Sequence, residues 1–501
     1  MAAMRNVLRN AGLNLVGQGL PILVALVSVP FVLLSLGDAR FGILTIAWLI
    51  IGTSQIVDLG MARAVTKFSA DAISRDALSE ISSILRGALW IQVPVGILAG
   101  GLLAVSASSL AESVFVIPDE LIEETRDTLF VVGASIPVAL LTGSYRGLLE
   151  AAGRFDIVNV FRVIFSSLSY LIPLAGGLVG WGLVEMTLLL LLSRAVQLYA
   201  LHRICMRLYP VSRWLRRPEW KQLRNMLGFG GWAAISSVLG PLQENVERFM
   251  LAALLPIALV TYYAVPLDML VRIYILPASL ATVLFPAMAF LTTGRFSEIL
   301  DLYLSSFKIV SLAVSLILLA VFILADPMLR LWVGVDFSEH ATPVVRVLVL
   351  GIFASSLNLL AFSFYHAVGR PDVPAKQQIF RLPIICGLAW FLISEYGIVG
   401  AAAAWTFGRV LALVMNLGAL PWMMRMRLSA FLPRQVVVAM AALPITMCLS
   451  ALALNWGAIP AVGLQLFVTL FGTLALLLVF LSWVFSKEER HQLYLMLFRF
   501  K

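Results

Sequence analysis

The chain has 501 residues, of which 61% are hydrophobic and only 13% are charged, and it carries a formal net charge of +9. Soluble globular domains have about 25% charged residues, and a mean hydropathy of +0.97 is far above their usual range. The composition therefore predicts an integral membrane protein with no separate soluble domain. The positive charge is interpreted as an orientation signal and an attraction to anionic headgroups, and nucleic-acid binding is not expected.

The N-terminus lacks the pattern of a removable signal peptide, so the first apolar segment is expected to remain as an anchor. The three cysteines, Cys205, Cys386 and Cys448, are isolated in or beside apolar segments. Their spacing predicts neither a disulfide framework nor a cysteine metal site.

Hydropathy, interrupted by Gly, Pro and charged residues, predicts 14 membrane-spanning helices. They lie near 12–36, 41–62, 84–107, 128–150, 157–178, 182–201, 227–255, 259–290, 304–325, 342–366, 377–394, 397–420, 435–456 and 460–485. Most Lys and Arg fall in alternate connections, and the other connections contain only Arg40, Arg126 and Arg330. This bias predicts that both termini and the basic connection 203–224 are cytoplasmic. The segment from Lys487 onward is predicted to be an interfacial helix on the same face.

Two short motifs indicate an internal repeat. Gly153-Arg154-Phe155-Asp156 follows the fourth predicted span, and Gly369-Arg370-Pro371-Asp372 follows the tenth, 216 residues later. Arg194 and Arg409, inside the sixth and twelfth spans, keep an offset of 215. Because six is even, two six-helix copies would cross the membrane in the same sense around a central cavity. The predicted domains are two six-helix bundles, 1–215 and 216–430, and an appended helix pair with a cytoplasmic tail, 431–501.

Several motifs in order carry a family resemblance. Phe41-Gly42 opens the second span and Asp58-Leu59-Gly60 closes it, while Asn245-Val246-Glu247-Arg248 precedes Val260-Thr261-Tyr262-Tyr263-Ala264 in the second half. Over roughly 1–430 the chain resembles the polysaccharide flippases of the multidrug/oligosaccharidyl-lipid/polysaccharide (MOP) exporter superfamily. The appended helix pair is also common in that family.

The resemblance implies an all-α polytopic membrane protein with two six-helix repeats in a V-shaped, MATE-like bundle. It implies a flippase of the bacterial cytoplasmic membrane that moves a polyprenyl-pyrophosphate-linked oligosaccharide between leaflets by alternating access, for polysaccharide biosynthesis. Its partners would be that glycan, membrane lipids and the polysaccharide polymerase or other export machinery. No cofactor is expected, so an ion gradient or the membrane potential would drive the cycle.

Ionisable residues inside spans are the candidate site, because burying a charge in lipid is costly unless it is paired or hydrated. Arginine suits a pyrophosphate ligand because its planar fork binds phosphate oxygens. Within this implied function the candidate substrate-binding residues are Arg194, Arg248, Arg272, Arg346 and Arg409, with Asn14 and Gln18 on one face of the first span. The candidate ion-coupling residues are Glu244, Glu247 and Asp268, and Asp58 and Arg63 are candidates for an inner gate.

Each of these candidates also has a structural interpretation. Glu244 with Arg248, and Asp268 with Arg272, are four residues apart and could be ion pairs within packed helices. Arg194 and Arg409 could instead extend toward the interface, and Asn14 and Gln18 could join helices. Near the predicted cytoplasmic ends the structural interpretation is favoured for Asp58, Arg63, Arg146, Glu150 and His366.

Other function classes have less support. The sequence contains no HExxH, Walker A, GxSxG or CxxC motif. A membrane glycosyltransferase or polymerase would use outer-face carboxylates, and one predicted outer loop is acidic, but it is short; its acids are Glu112, Asp119, Glu120, Glu123, Glu124 and Asp127. A multidrug exporter of the same superfamily is the stronger rival, although an arginine-rich interior suits anions better than cationic drugs.

Overall fold

The computed structural model describes residues 2–54, 57–58, 60–209, 224, 231–279, 296–368, 370, 372–424, 427–455, 461–487 and 489–490. Within this part of the chain there are fourteen α-helices. They are α1 (Ala2–Thr53), α2 (Met61–Ser74), α3 (Leu78–Ser109), α4 (Ile122–Ala151), α5 (Phe155–Val179), α6 (Leu183–Leu208), α7 (Gly231–Leu254), α8 (Ile257–Val271), α9 (Phe296–Trp332), α10 (Val335–Ala367), α11 (Asp372–Met424), α12 (Leu428–Phe431), α13 (Arg434–Asn455) and α14 (Ala461–Val479).

Eleven helices of the described residues are long and apolar enough to cross a membrane. The predicted all-α, multi-pass membrane class is therefore confirmed. Helix α7 is not among the eleven, and its sequence contains Glu244, Glu247 and Arg248. The prediction nevertheless placed a span here, at 227–255.

The very long helices α1 and α11 each combine two predicted spans. Each is interrupted by one glycine with a positive φ, Gly37 at 73° and Gly397 at 59°. A positive φ is costly for residues with a Cβ, so glycine allows these sharp bends between consecutive spans. The second segment of α1 ends at Thr53, earlier than the predicted end at residue 62.

Helix α2 was not predicted as a separate element. It begins after Gly60 and presents one buried face, which includes Met61, Val65 and Ala72. The opposite face exposes Arg63 and Lys67. This periodicity is typical of an amphipathic helix that lies on a protein surface. Hydropathy alone did not separate α2 from the second predicted span, because the apolar residues of the two are continuous in the sequence.

The chain divides into two compact units, Met1–Thr261 and Tyr262–Lys501. We call them unit 1 and unit 2 and describe each by itself. The predicted repeat boundaries at 215 and 430 derive from sequence offsets and stay predictions.

In unit 1 the core lies among α2 to α6, where Met61, Leu85, Leu148 and Cys205 are fully buried. Helices α3 and α4 approach closely through small residues. A Cβ built at Gly100 would collide with the carbonyl oxygen of Gly133, as expected where helix backbones touch in a membrane.

In unit 2, α9 packs against α10, α13 and α14, and α10 packs against α11. An aromatic cluster fills one part of this core. The ring of Tyr303 lies 6.0 Å from that of Phe307 and 5.4 Å from that of Phe364, and Phe364 contacts Phe431. The segment after α14 is held by an ion pair, in which Lys308 of α9 donates to both carboxylate oxygens of Glu489 at 2.9 and 3.1 Å.

The arginine and aspartate of the two Gly-Arg-x-Asp motifs make the same contacts. The Arg154 guanidinium donates two hydrogen bonds to Asp156, at 3.1 and 3.0 Å, and Arg370 donates two to Asp372, at 3.0 and 3.3 Å. The amide of each arginine also bonds the carbonyl five residues earlier, on Leu149 or Tyr365. The repeated Arg–Asp pair therefore lies at the start of α5 in one unit and of α11 in the other.

Candidate functional site

Unit 1 contains a cavity of ≈ 220 Å³ among α1, α4, α5 and α6. Its polar lining includes three arginines, Arg146, Arg162 and Arg194, together with Gln197. The remaining lining residues are Ile51, Gly52, Ser54, Ala139, Thr142, Gly143, Val158, Phe161, Phe165, Ser166, Ser169 and Leu201.

Helical periodicity brings these side chains together. On α5, Arg162, Ser166 and Ser169 follow one another at intervals of four and three residues, so they share one face. On α6, Arg194 and Gln197 are three residues apart and face the same cavity. Small or short residues, such as Gly52 and Gly143, leave the space between the helices.

The three arginines differ in how their charges are compensated. Arg146 forms an ion pair with Glu150 of its own helix, at 3.4 Å. In the described part of the chain, no hydrogen bond or ion pair reaches the guanidinium of Arg162 or Arg194. Cations inside a membrane protein are costly without a counter-charge, so the cavity is suited to an anionic ligand.

A buried polar chain lies beside this cavity. Ser144 of α4 donates to Gln92 Oε1 of α3 at 2.9 Å, and Gln92 Nε2 donates to Asp58 Oδ1. The second oxygen of Asp58 accepts the amide hydrogen of Ala62 at 2.9 Å. Burial raises the pKa of Asp58 above its ordinary value, although the Ala62 amide, Gln92 and the charges of Arg63 and Arg146 oppose the shift.

Three of the predicted site residues lie on α7 of unit 1. Glu247 and Arg248 are buried, with 1% and 7% of their surface exposed, whereas Glu244 is exposed. Asp268 and Arg272 lie in unit 2. Asp268 is on α8, and Arg272 begins a short 3₁₀ turn, Arg272–Tyr274, that directly follows α8 and interrupts the helical path. Such a turn inside a helix often marks a hinge. The binding and coupling roles of these five residues stay predictions.

The other candidates occupy different places. Arg194 lines the unit 1 cavity. Arg346 lies over the ring of Phe322, 5.8 Å from its centroid, and Arg409 lies 4.9 Å from that of Trp405. Asn14 and Gln18 belong to α1, but their side chains are outside the described residues.

The predicted gate residues do not form an ion pair in the part of the chain that is described. Asp58 is buried and bonded to Gln92 and Ala62, whereas Arg63 is exposed on α2 and acts on Asp58 only through its charge. The gating role stays a prediction.

Sequence reasoning missed Arg162 and Arg381 as intramembrane charges and favoured a structural role for Arg146. Arg146 lines the cavity with Arg162, and it also pairs with Glu150. Arg381, on α11 of unit 2, is 6% exposed. The sequence did contain a pattern that could have identified these two arginines. The dipeptide Phe-Arg recurs shortly after both Gly-Arg-x-Asp motifs, as Phe161-Arg162 and Phe380-Arg381.

The fold and the arginine-lined cavity inside it define an all-α, multi-pass membrane protein with a cationic internal site. The sequence pattern of the family described as "Polysaccharide biosynthesis protein" matches residues 7–291. Since this match spans more than half of the chain, the protein belongs to that family, and the predicted recognition is confirmed.

One curated relative is similar to the chain in sequence, and two solved structures are similar to it in fold. The chain is 24% identical over 421 residues to a "Putative O-antigen transporter" of Shigella flexneri, covering 81% of this chain and 96% of the relative. The fold is similar to the lipid II flippase MurJ in an inward closed conformation, with a TM-score of 0.67, 13% identity and 94% and 98% of the two chains covered. It is also similar to an inward-facing multidrug resistance MATE transporter of the MOP superfamily, with a TM-score of 0.65, 16% identity and 83% and 94% coverage. The predicted MATE-like fold is therefore confirmed, and all three of these proteins are named as transporters or flippases.

Proposed function

We propose that the protein is a flippase that moves a polyprenyl-diphosphate-linked oligosaccharide across the bacterial cytoplasmic membrane by alternating access. The observation that carries the proposal is the unit 1 cavity, where three arginines face one carboxylate: Glu150 pairs with Arg146 and acts on Arg162 only through its charge. Arg194 has no acidic partner among the described residues. A diphosphate would supply the missing negative charge, and two or three guanidinium groups could bind its oxygens in bidentate fashion.

The size of the cavity limits what it holds. Pockets that enclose drug-sized ligands measure about 300–1,000 Å³, and this cavity measures ≈ 220 Å³. A diphosphate group with little else would fit, whereas an oligosaccharide would have to remain outside it. We therefore assign the cavity to the charged head of the lipid-linked glycan.

The family supports the choice of substrate class. Members are described as polysaccharide biosynthesis proteins, the Shigella relative is named an O-antigen transporter, and MurJ is named a lipid II flippase. In this proposal an ion gradient or the membrane potential drives the cycle, both termini are cytoplasmic, and polysaccharide polymerase and other export proteins act on the delivered glycan.

The multidrug exporter is the second candidate, because a MATE transporter shares the fold. The charge of the cavity argues against it. Its three arginines share a single nearby carboxylate, Glu150, which pairs with Arg146 and acts on Arg162 through its charge. The net positive charge repels the cationic compounds that such an exporter would carry.

Substitution of the cavity arginines tests the proposal. Arg162→Gln and Arg194→Gln should each reduce glycan export at least about tenfold, the factor for each 1.4 kcal/mol of lost binding, with normal membrane insertion. The variants Arg162→Lys and Arg194→Lys should recover only part of the export, because lysine keeps the charge but lacks the planar guanidinium that binds two oxygens at once. Arg203→Gln is the matched control, because Arg203 is exposed on the same helix as Arg194 and does not line the cavity. Full export by well-inserted Arg162→Gln and Arg194→Gln variants would remove the cavity from the proposed cycle.

A further inference from the structure

We propose that Asp58 is a proton-binding site whose occupancy is linked to the charge held in the unit 1 cavity, so that anion and proton bind cooperatively. The inference deepens the proposed function, because the anion is the diphosphate head assigned to that cavity. It adds a second ligand, the proton, at a residue outside the membrane-spanning helices.

The first support is the position of the carboxyl group. Asp58 is 7% exposed and lies in the turn between α1 and α2. Ser54, four residues earlier, lines the cavity. The chain from Asp58 through Gln92 ends at Ser144, two residues before Arg146 in α4. The carboxyl group is thus buried close to the arginine cavity, with a hydrogen-bonded connection to a helix that lines it.

The second support is the set of charges around Asp58. Arg63 acts on it from α2 and Arg146 from α4, and both favour the ionised form. The group facing it from α3, Gln92, is neutral. Glu150, also on α4, partly offsets Arg146 through their ion pair. Arg63 is exposed, so water and salt screen its effect on Asp58. The effect of the Arg146 charge on Asp58 instead depends on whether an anion occupies the cavity.

The linkage follows from these charges. An anion in the cavity neutralises Arg146 and repels the Asp58 carboxylate, and both effects favour the protonated acid. A proton is then taken from solvent by one carboxylate oxygen, and no other bond forms or breaks. By reciprocity, protonation of Asp58 raises the affinity of the cavity for the anion by the same factor.

A helix-capping role is the alternative for Asp58, since its carboxylate accepts the Ala62 amide at the start of α2. Asparagine caps a helix nearly as well as aspartate but cannot titrate. Asp58→Asn therefore removes the proton site and keeps the cap. Asp71→Asn is the matched control, because Asp71 is an exposed carboxylate on the same helix.

Binding of farnesyl diphosphate to the full-length protein in zwitterionic nanodiscs tests the linkage. Calorimetry in buffers of different ionisation enthalpy should show proton uptake in the wild type and in Asp71→Asn, beyond that of Asp58→Asn. Comparison with Asp58→Asn removes the titration of the diphosphate itself. When the pH is lowered from 8 to 6, the affinity of the wild type for farnesyl diphosphate should increase more than that of Asp58→Asn. The difference between the two increases should be on the order of fivefold, a typical coupling between two ligands. Equal uptake and equal pH dependence in the two proteins would overturn the proposal.

A measurement without ligand separates this inference from the proposed function. The infrared carboxyl band lost in Asp58→Asn reports the titration of Asp58 directly. Arg146→Gln should move its midpoint to higher pH, and Arg203→Gln should not. If farnesyl diphosphate fails to bind, the proposed headgroup site is wrong, and the Arg146→Gln midpoint still decides the linkage. An unchanged midpoint in Arg146→Gln refutes it, whatever binds in the cavity.

Discussion

Lys308 and Glu489 form an ion pair that fastens the segment after the last span to α9, with Nζ 2.9 and 3.1 Å from the two carboxylate oxygens. The lysine side chain is 7% exposed and that of Glu489 is 23% exposed. Ser486 and Glu489 also exchange hydrogen bonds between side chain and backbone, at 2.8 and 3.2 Å. That reciprocal pattern is a capping box, so one carboxylate both starts a helical segment and neutralises a buried lysine.

Removing this carboxylate should destabilise the protein. Glu489→Gln leaves the Lys308 charge buried without its counter-ion, and breaking fully buried pairs costs about 3–5 kcal/mol. Because Glu489 is partly exposed, we expect about 2 kcal/mol, measured by denaturation in detergent. The double variant Lys308→Met, Glu489→Gln should regain most of the loss. If the double variant is as unstable as the single one, the charge is not the cause.

The same pair should give the protein an acid-sensitive step. Burial raises the pKa of Glu489, but the Ser486 amide and the Lys308 ammonium outweigh it, and the net pKa lies below the ordinary 4.5. A lowered folded pKa contributes stability that is complete above the ordinary value and is lost as the pH falls through the folded one. Denaturation midpoints from pH 8 to pH 3 should therefore show a loss below about 4.5 in the wild type that Glu489→Gln lacks. A parallel pH profile in both proteins would contradict it.

The contact between α3 and α4 predicts opposite effects for two neighbouring glycines. An added Cβ at Gly100 meets the backbone of Gly133, whereas at Gly101 it meets nothing within 4 Å. Gly101→Ala should stabilise its helix, by up to about 1 kcal/mol. Gly100→Ala should destabilise the protein by about 1–3 kcal/mol, because the helices must separate. Thermal unfolding of both variants in the same detergent checks the sign of each, and equal behaviour would mean that the close approach is unimportant.

The sequence predicted the helical architecture well because a bilayer permits few alternatives to apolar helices. The Gly-Arg-x-Asp repeat also indicated a repeated feature before the structure explained it through the pairs Arg154–Asp156 and Arg370–Asp372. Helix α2 was missed since its apolar face continues directly from the preceding span. Its amphipathic period is clear only once the second segment of α1 is known to end at Thr53.

The candidate site was harder to predict than the fold. Its position inside a predicted span selected Arg194, which does line the cavity, but Arg162 lies close to a predicted helix end and was overlooked. Which face of α5 meets which face of α6 depends on packing that no single-helix pattern contains. The pairing of Lys308 with Glu489 joins residues 181 positions apart, and local spacing rules cannot reveal such a contact.

The orientation inferred from basic residues leads to a direct test. In a variant without the three native cysteines, Glu120→Cys should react with a membrane-impermeant maleimide in intact cells, whereas Arg75→Cys should react only after lysis. Both side chains are exposed, so access depends on the side of the membrane. Labelling at 75 but not at 120 in intact cells would reverse the topology.

Arg381 predicts a conflict between stability and function in unit 2. Its side chain is 6% exposed, and the charge of Arg409 acts on it. Among the described residues its hydrogen-bond acceptor is the Gln377 carbonyl, at a long 3.4 Å. A buried cation held in this way lowers the stability of the protein. Such a cost is typical of a residue that is kept for binding or for the transport cycle. Arg381→Gln should therefore stabilise the protein, by on the order of 1 kcal/mol, while lowering glycan export. Arg427→Gln, at an exposed arginine of the same unit, should change neither. A destabilised Arg381→Gln variant would instead show that the arginine is structural, and unchanged export would show that transport does not use it.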